Sequence, residues 1–393
     1  MRTDGGRVGV EWTGSKLGLA LVAALSGPLA ADAAAQTWKQ EAKLVAPDAT
    51  AGDQFGNGAA VSGDTMIVAS VSHEHHALPR EGGAYVFVRT GGAWGFQAEL
   101  MPGAPAAWNE FGTSVDVDGD TAVVGARQEV PGQQGPGAVY VFTRSGTTWT
   151  QQAMLMAAGG VPNDSFGVSV DLQGDTLVVG ADREGMAPGC AYVFERSGTA
   201  WSQVATLTPS VSASDRFGNS VALDGDRIVV GAFKAAVGPL STAGVAYLFR
   251  KQGTWSSTSQ EDCQLTAADA AAQDWFGISV DVHGSTIVVG ASLADPGGSA
   301  EQGAAYVFVD DGTACTQQAK LVAGAGGAGD NFGIRVAAGP DLAVVGAQQA
   351  DPGGLGNAGA AYVFRREGTA WTETQGLSAG DKDPGDSFGY SVA

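Results

Sequence analysis

Apolar residues along this chain come in short runs and not in the three-or-four-residue rhythm of a helix face. The runs keep a fixed order: FGxSV, then TxVVGA, then AYVF, then a stretch from Trp to Leu, with clusters of Gly, Asp, Ser and Thr between them. Rich in Val, Phe and Tyr and closed off by turn formers, each run predicts a strand. VVGA and YVF are apolar on successive residues, so both faces of the sheet must be covered. Sheets packed face to face, one against the next, do this.

The order repeats along the chain. PheGly recurs at Phe55, Phe111, Phe166, Phe217, Phe276, Phe332 and Phe388, at separations of 56, 55, 51, 59, 56 and 56 residues. Fourteen residues after each of the first six Phe stands Gly125, Gly180, Gly231, Gly290 or Gly346 of VVGA, or Ala69 in the variant IVAS. Tyr85, Tyr140, Tyr192, Tyr247, Tyr306 and Tyr362 follow, then Trp94, Trp149, Trp201, Trp255 and Trp371, with Cys315 once in place of Trp. Six residues further comes Leu100, Leu155, Leu207, Leu321 or Leu377, and the fourth repeat alone stretches this step, from Trp255 to Leu265. Four strands in a period of about 55 residues predict an all-β propeller of four-stranded blades, an architecture that leaves few exposed strand edges.

Seven PheGly pairs predict the seven-bladed type, with an incomplete seventh blade. Its inner strand follows Phe388 and its outer strand runs from Trp38 to Leu44, so the two ends of the chain share it. By repeat spacing about 33 residues, the two middle strands, are absent, which predicts a chain truncated at the C-terminus. Asp118-Gly119, Gln173-Gly174 and Asp224-Gly225 suit the tight turn between first and second strands, because Gly accepts positive φ. Length varies mainly between the second and third strands, in loops that include Asp295-Pro296-Gly297 and Asp351-Pro352-Gly353. These loops and the ones leading into each PheGly emerge on one face, so the sequence varies where a binding face would be.

Arg2, Arg7 and Lys16 precede the apolar run Leu17 to Leu25, and small residues from Ala30 to Ala35 follow, the three-part layout of a secretory signal peptide. The expected organisation is a signal peptide over 1–35, cut after Ala33 or Ala35, and a single propeller over 36–393. The product would be secreted or held at the cell surface. It would have no membrane span after cleavage, since nothing later approaches about 18 consecutive apolar residues. Cys190, Cys263 and Cys315 fit an oxidising destination and allow at most one bridge. Cys263 with Cys315 is conceivable, and isolated buried thiols are the alternative.

Composition narrows the function. Sixty Gly, 16% charged and 44% hydrophobic residues describe a buried, turn-rich globular chain and exclude disorder. Forty-one acidic against 21 basic residues leave a net charge of -20, which repels phosphate backbones and favours cationic or metal-bridged partners. Nucleic acid is excluded as a partner.

FGxSV followed by VVGA and AYVF resembles the FG-GAP repeat, the unit of the seven-bladed propeller in the head of integrin α subunits and of many secreted bacterial proteins. The resemblance spans Trp38 to Ala393. It implies extracellular interaction or adhesion through loops on one face, with an extracellular protein or polysaccharide as partner. One departure matters: calcium-binding repeats of the family carry a DxDxDG loop between first and second strands, and the fixed fourteen-residue spacing leaves no room for it here. Asp116, Asp118 and Asp120 imitate its start, but Gly119 falls too early. The family's calcium sites are therefore not carried over.

Candidate chemistry lies in two places. Two residues before each Phe stands Asp53, Asp164, Asp215, Asp274, Asp330 or Asp386, with Asn109 in the remaining copy. A second Asp five residues earlier makes Asp48 with Asp53, Asp269 with Asp274, and Asp381 with Asp386 the calcium candidates. The competing reading is an Asx turn that fixes the approach to the inner strand, and Asn109 favours it because Asn caps without charge. No other cofactor is expected. His73, His75 and His76, in the run His73-Glu74-His75-His76, are candidate zinc or copper ligands, set against a solvated polar loop. No GxSxG elbow accompanies Ser169 or Ser279, and repetition argues against a unique active site. The expectation is a non-enzymatic interaction or adhesion module. A passive envelope or matrix component, or an enzyme built on the histidine loop, are the alternatives.

Overall fold

The computed structural model describes residues 37–393 other than 75–79, 104–107, 128, 131–132, 183–188 and 211–214, with backbone alone for 9–10, 19–22, 129–130 and 133–134. Each repeat becomes a four-stranded antiparallel sheet whose strands lie side by side in chain order. Blade 1 is Phe55–Ser62, Thr65–Ser70, Gly83–Thr90 and Ala93–Leu100, and blade 2 is Phe111–Asp118, Thr121–Ala126, Ala138–Ser145 and Thr148–Leu155. Blade 3 comprises Ser169–Gln173, Thr176–Ala181, Cys190–Ser197 and Ala200–Leu207. Blade 4 comprises Val221–Asp224, Arg227–Ala232, Val245–Arg250 and Cys263–Leu265. Blade 5 takes Phe276–His283, Thr286–Ala291, Ala304–Asp310 and Cys315–Leu321, and blade 6 takes Arg335–Ala338, Leu342–Ala347, Ala360–Glu367 and Ala370–Leu377.

Six four-stranded blades are formed among the described residues, which corrects the expected seven. Between blades 6 and 1 lie two separate two-stranded pairs: Ser391–Val392 with Gly9–Val10, and Ala42–Val45 with Leu19–Val22. Among the described residues no hydrogen-bonded ladder joins them into a seventh sheet. Ser391–Val392 nevertheless packs between the inner strands of blades 6 and 1, and the Ser391 hydroxyl accepts a hydrogen bond from the Ala59 N–H at 3.2 Å.

Successive valines of VVGA face successive apolar layers, as the unbroken apolar run requires: Val124 packs between blades 1 and 2, Val123 between blades 2 and 3. None of the seven Phe of PheGly is more than 1% exposed. Phe111 meets the Tyr140 and Phe142 rings of its own blade edge-on, at centroid distances of 5.5 and 6.2 Å, a favourable aromatic geometry. Both repeated glycines follow from backbone proximity. A Cβ on Gly125 of VVGA would collide with the carbonyl oxygen of Gly167, the PheGly glycine of the next blade, and Gly180 and Gly218 meet the same way.

A polar clamp repeats at the other end of the third strand. The Arg196 guanidinium donates to Asp175 at 2.6 Å and, across the blade boundary, to the Thr121 hydroxyl at 2.9 Å, while lying 5.2 Å from the Trp201 ring centroid. Trp201 Nε1 in turn donates to Gln152 of blade 2 at 2.9 Å. Trp149 with Gln97 and Trp371 with Gln318 repeat the bond. Where Cys315 replaces Trp, a disulfide to Cys263 joins the outer strands of blades 4 and 5, and Cys190 is not part of a disulfide.

Candidate functional site

The aspartates two residues before PheGly hold the chain as it turns into each inner strand. Asp53, Asp164, Asp274, Asp330 and Asp386 each accept the backbone N–H three residues earlier, at 2.6–2.7 Å. Asp215 accepts from the Phe217 N–H at 3.1 Å, and burial lifts its carboxyl to about 6. The next residue is left-handed in all seven copies, from Glu110 at φ 51° to Arg216 at φ 60°, although none is glycine. Such backbone is held only where its surroundings over-determine it; the buried Phe on one side does so in every copy, joined by the Asp cap on the other in all but the copy with Asn109.

Inner-strand aspartates stitch blades together around the axis. Asp116 accepts from the Leu172 N–H at 2.6 Å, Asp171 from Leu223 at 2.8 Å and Asp281 from Ala338 at 2.6 Å, each across a blade boundary. They line an axial cavity of about 370 Å³. Burial, followed by the charges of Asp116 and Asp281, raises Asp171 well above the usual carboxylate range. Asp118 accepts from the Gly174 N–H and Asp120 pairs with Arg144, so the stretch that imitates a calcium loop serves blade contacts.

Asp48, Asp53 and His73 meet at one corner of blade 1. His73 is 4% exposed, so the expectation of a solvated polar loop is corrected at this residue. The reason is local: His73 N–H bonds the Ser70 carbonyl, its own carbonyl accepts from Gly82, and the ring packs edge-on against Tyr85. His73 Nδ1 lies 2.8 Å from Asp53 Oδ2, and Nε2 lies 3.5 Å from Asp48 Oδ2. Glu99, from the outer strand, completes a group in which one ligand atom each of Asp48, His73 and Glu99 lies within 4.8 Å of the others. Burial pushes the Tyr85 hydroxyl above its ordinary range, and the charges of Glu99 and Asp48 add to it. His75 and His76 lie outside the described residues.

The other calcium candidates have different surroundings. Asp269 accepts hydrogen bonds from Lys320 Nζ at 2.6 Å and the Tyr306 hydroxyl at 3.0 Å; burial alone would raise its carboxyl, but these donors hold it below the usual range. Asp381 is paired with Lys43, whose hydrogen bond lowers it likewise. Sequence reasoning missed Glu99. Its signal was the position before the outer-strand Leu, which is charged in the repeats that carry the second Asp and neutral as Met154, Thr206, Gln264 and Gly376 in the others.

The family profile described as FG-GAP repeat matches residues 38–87, 94–142, 149–194, 201–249, 260–308 and 315–364. No curated protein sequence matches. Among solved structures, the chain is similar to the crystal structure of a protein from Lactobacillus plantarum, a structural-genomics target. The TM-score is 0.60 at 16% identity, covering 98% of each chain, a likeness of fold. No helix among the described residues is long and apolar enough to cross a membrane.

Proposed function

The chain belongs to the FG-GAP repeat family, and from that premise we propose that it is a secreted, non-enzymatic interaction or adhesion module. It engages an extracellular protein or polysaccharide through the loops on one face of the ring. Residues 1–35 act as the export signal. The carrying observation is that the variable loops of one blade are fixed to the lead-in of the next. Gly82 pairs with Phe111, Gly137 with Phe166, Gly303 with Phe332 and Gly359 with Phe388. Residues that differ between blades thereby share one surface on a scaffold that repeats, the arrangement of binding loops on a rigid frame.

The test is a panel of purified extracellular proteins and polysaccharides immobilised for biosensor binding. One saturable ligand is expected, lost when 295–298 and 352–354 are replaced by Gly-Ser turns with the melting temperature nearly unchanged. Undiminished binding with all the second-to-third-strand loops replaced removes the reading. Absence of any saturable ligand across the panel favours a passive envelope or matrix role.

A further inference from the structure

We propose that Asp48, His73 and Glu99 form a binding site for one divalent transition-metal ion, zinc being the best fit, with Asp53 orienting the imidazole. The proposal stands independently of the partner-binding reading. His73 Nε2 and Asp48 Oδ2 are 3.5 Å apart, matching the edge of about 3.4 Å expected for a tetrahedron of donors roughly 2.1 Å from zinc. Asp53 Oδ2, 2.8 Å from Nδ1, is the acceptor that makes Nδ1 the protonated nitrogen and turns the Nε2 lone pair toward Asp48 and Glu99. A carboxylate behind an imidazole behind a ligand cluster is the usual build of a zinc site. A nitrogen donor among three ligands suits zinc over calcium, which takes six to eight oxygens.

The repeats supply the second, independent observation. Asp269 of blade 5 stands seven residues before its Phe, as Asp48 does, and Lys320 stands immediately before Leu321, as Glu99 stands before Leu100. The backbones correspond: Ala294 N–H bonds Ala291 and its carbonyl accepts from Gly303, as His73 does with Ser70 and Gly82. In blade 5 the Lys320 ammonium therefore sits on Asp269, and at the chain ends Lys43 sits on Asp381 in the same relation. The fold thus places a cation against this aspartate in two of three instances. In blade 1 a glutamate replaces that lysine and a histidine replaces Ala294, which exchanges a built-in cation for ligands suited to an external one. Asp48 has a side chain 40% exposed, so the ion is reachable and keeps a coordination position for water or a partner's oxygen.

The experiment is zinc titration calorimetry on the full chain stripped with chelator, with thermal melts alongside. One zinc per chain and a higher melting temperature are expected. Glu99→Lys, which rebuilds the blade 5 arrangement, should weaken zinc binding by about a hundredfold or more and leave the metal-free melting temperature unchanged. Glu99→Gln serves if that variant fails to fold and should weaken binding at least about tenfold. His75→Ala with His76→Ala should bind as wild type. The proposal is overturned by no binding at millimolar zinc, by undiminished binding in both Glu99 variants, by loss confined to the His75 and His76 variant, or by one calcium binding where zinc does not.

Discussion

Two junctions in the ring are made in contrasting ways. Between blades 4 and 5 the repeating clamp is inverted. Asp310 takes the place of the third-strand Arg, Arg227 the place of the partner Thr, and Cys315 the place of Trp. The fully buried Asp310 side chain accepts from Arg227 at 2.8 Å and Arg250 at 2.5 Å, and the Cys263–Cys315 disulfide lies beside this cluster. Between blades 6 and 1 the contact is made by short strands from both chain ends. Trp38 exchanges two hydrogen bonds with Gln375, at 2.7 and 2.9 Å, and packs with Phe388 and Val392 against blade 6. A ring resists opening at its weakest boundary. The difference therefore shows that the disulfide and the buried Asp310 cluster sit away from the closure, whose own ion pair, Lys43 with Asp381, is partly exposed.

The largest effect expected is at the reinforced junction. Burial alone would raise Asp310, but hydrogen bonds from Arg250, Gly312 and Arg227 bring its carboxyl down to about 2. Because that value is below the unfolded one, its contribution is fully present above about pH 4. Roughly 2–3 kcal/mol is lost as pH falls toward 2. Asp310→Asn should cost about 3–5 kcal/mol at neutral pH, since two partly buried arginines lose the buried carboxylate they share, and should flatten the acid limb of a urea-unfolding series against pH. A variant as stable as wild type would equalise the two junctions.

Opening the disulfide comes next. Cys263→Ser with Cys315→Ser should lower stability by about 2–4 kcal/mol in chemical denaturation, with hydrogen exchange faster in 263–265 and 315–321 first. At the closure, producing the chain from residue 37 onward should change global stability by no more than about 1–2 kcal/mol. Two short pairs contribute little area. Exchange at 391–392 and 42–45 should nevertheless accelerate. A global collapse on this deletion would make residues 9–22 part of the fold and count against a cleaved leader. The smallest effect is Gln375→Leu, about 1 kcal/mol by loss of its bonds to Trp38, read from the thermal midpoint.

How much of this was legible depends on what each element rests on. Apolar runs mapped onto strands because side-chain chemistry sets them: FGTSVDVD became Phe111–Asp118 and TAVVGA became Thr121–Ala126. The blade count was not legible, because it turns on whether strands from distant parts of the chain join one ladder. The turn-capping role of Asp53 and Asp274 was weighed from the sequence, but the left-handed residue after each was not. Gln54 and Trp275 share no chemistry, and the constraint comes from their neighbours. At the candidate site Asp48 and His73 were singled out for different ions. Their meeting through Asp53, and the arrival of Glu99 from an outer strand, required the fold. The Arg-Trp clamp escaped for a similar reason: Arg196 reaches Thr121 across 75 residues of sequence.

The glycine of VVGA lies against the PheGly glycine of the following blade at four successive boundaries, through Gly125, Gly180, Gly231 and Gly290, and Gly346 of blade 6 meets Gly389 of the last PheGly in the same way. Peptide backbone meets peptide backbone there, and backbone is the one part of a protein identical in every copy. A duplicated blade therefore arrives already complementary to its neighbours on both sides at this inner contact, with no matched side chains to acquire. The inventory of blades can lengthen or shorten by whole units while loop sequences diversify on the rim. Ring size becomes a matter of copying, and recognition a matter of substitution, two histories that this inner contact keeps apart.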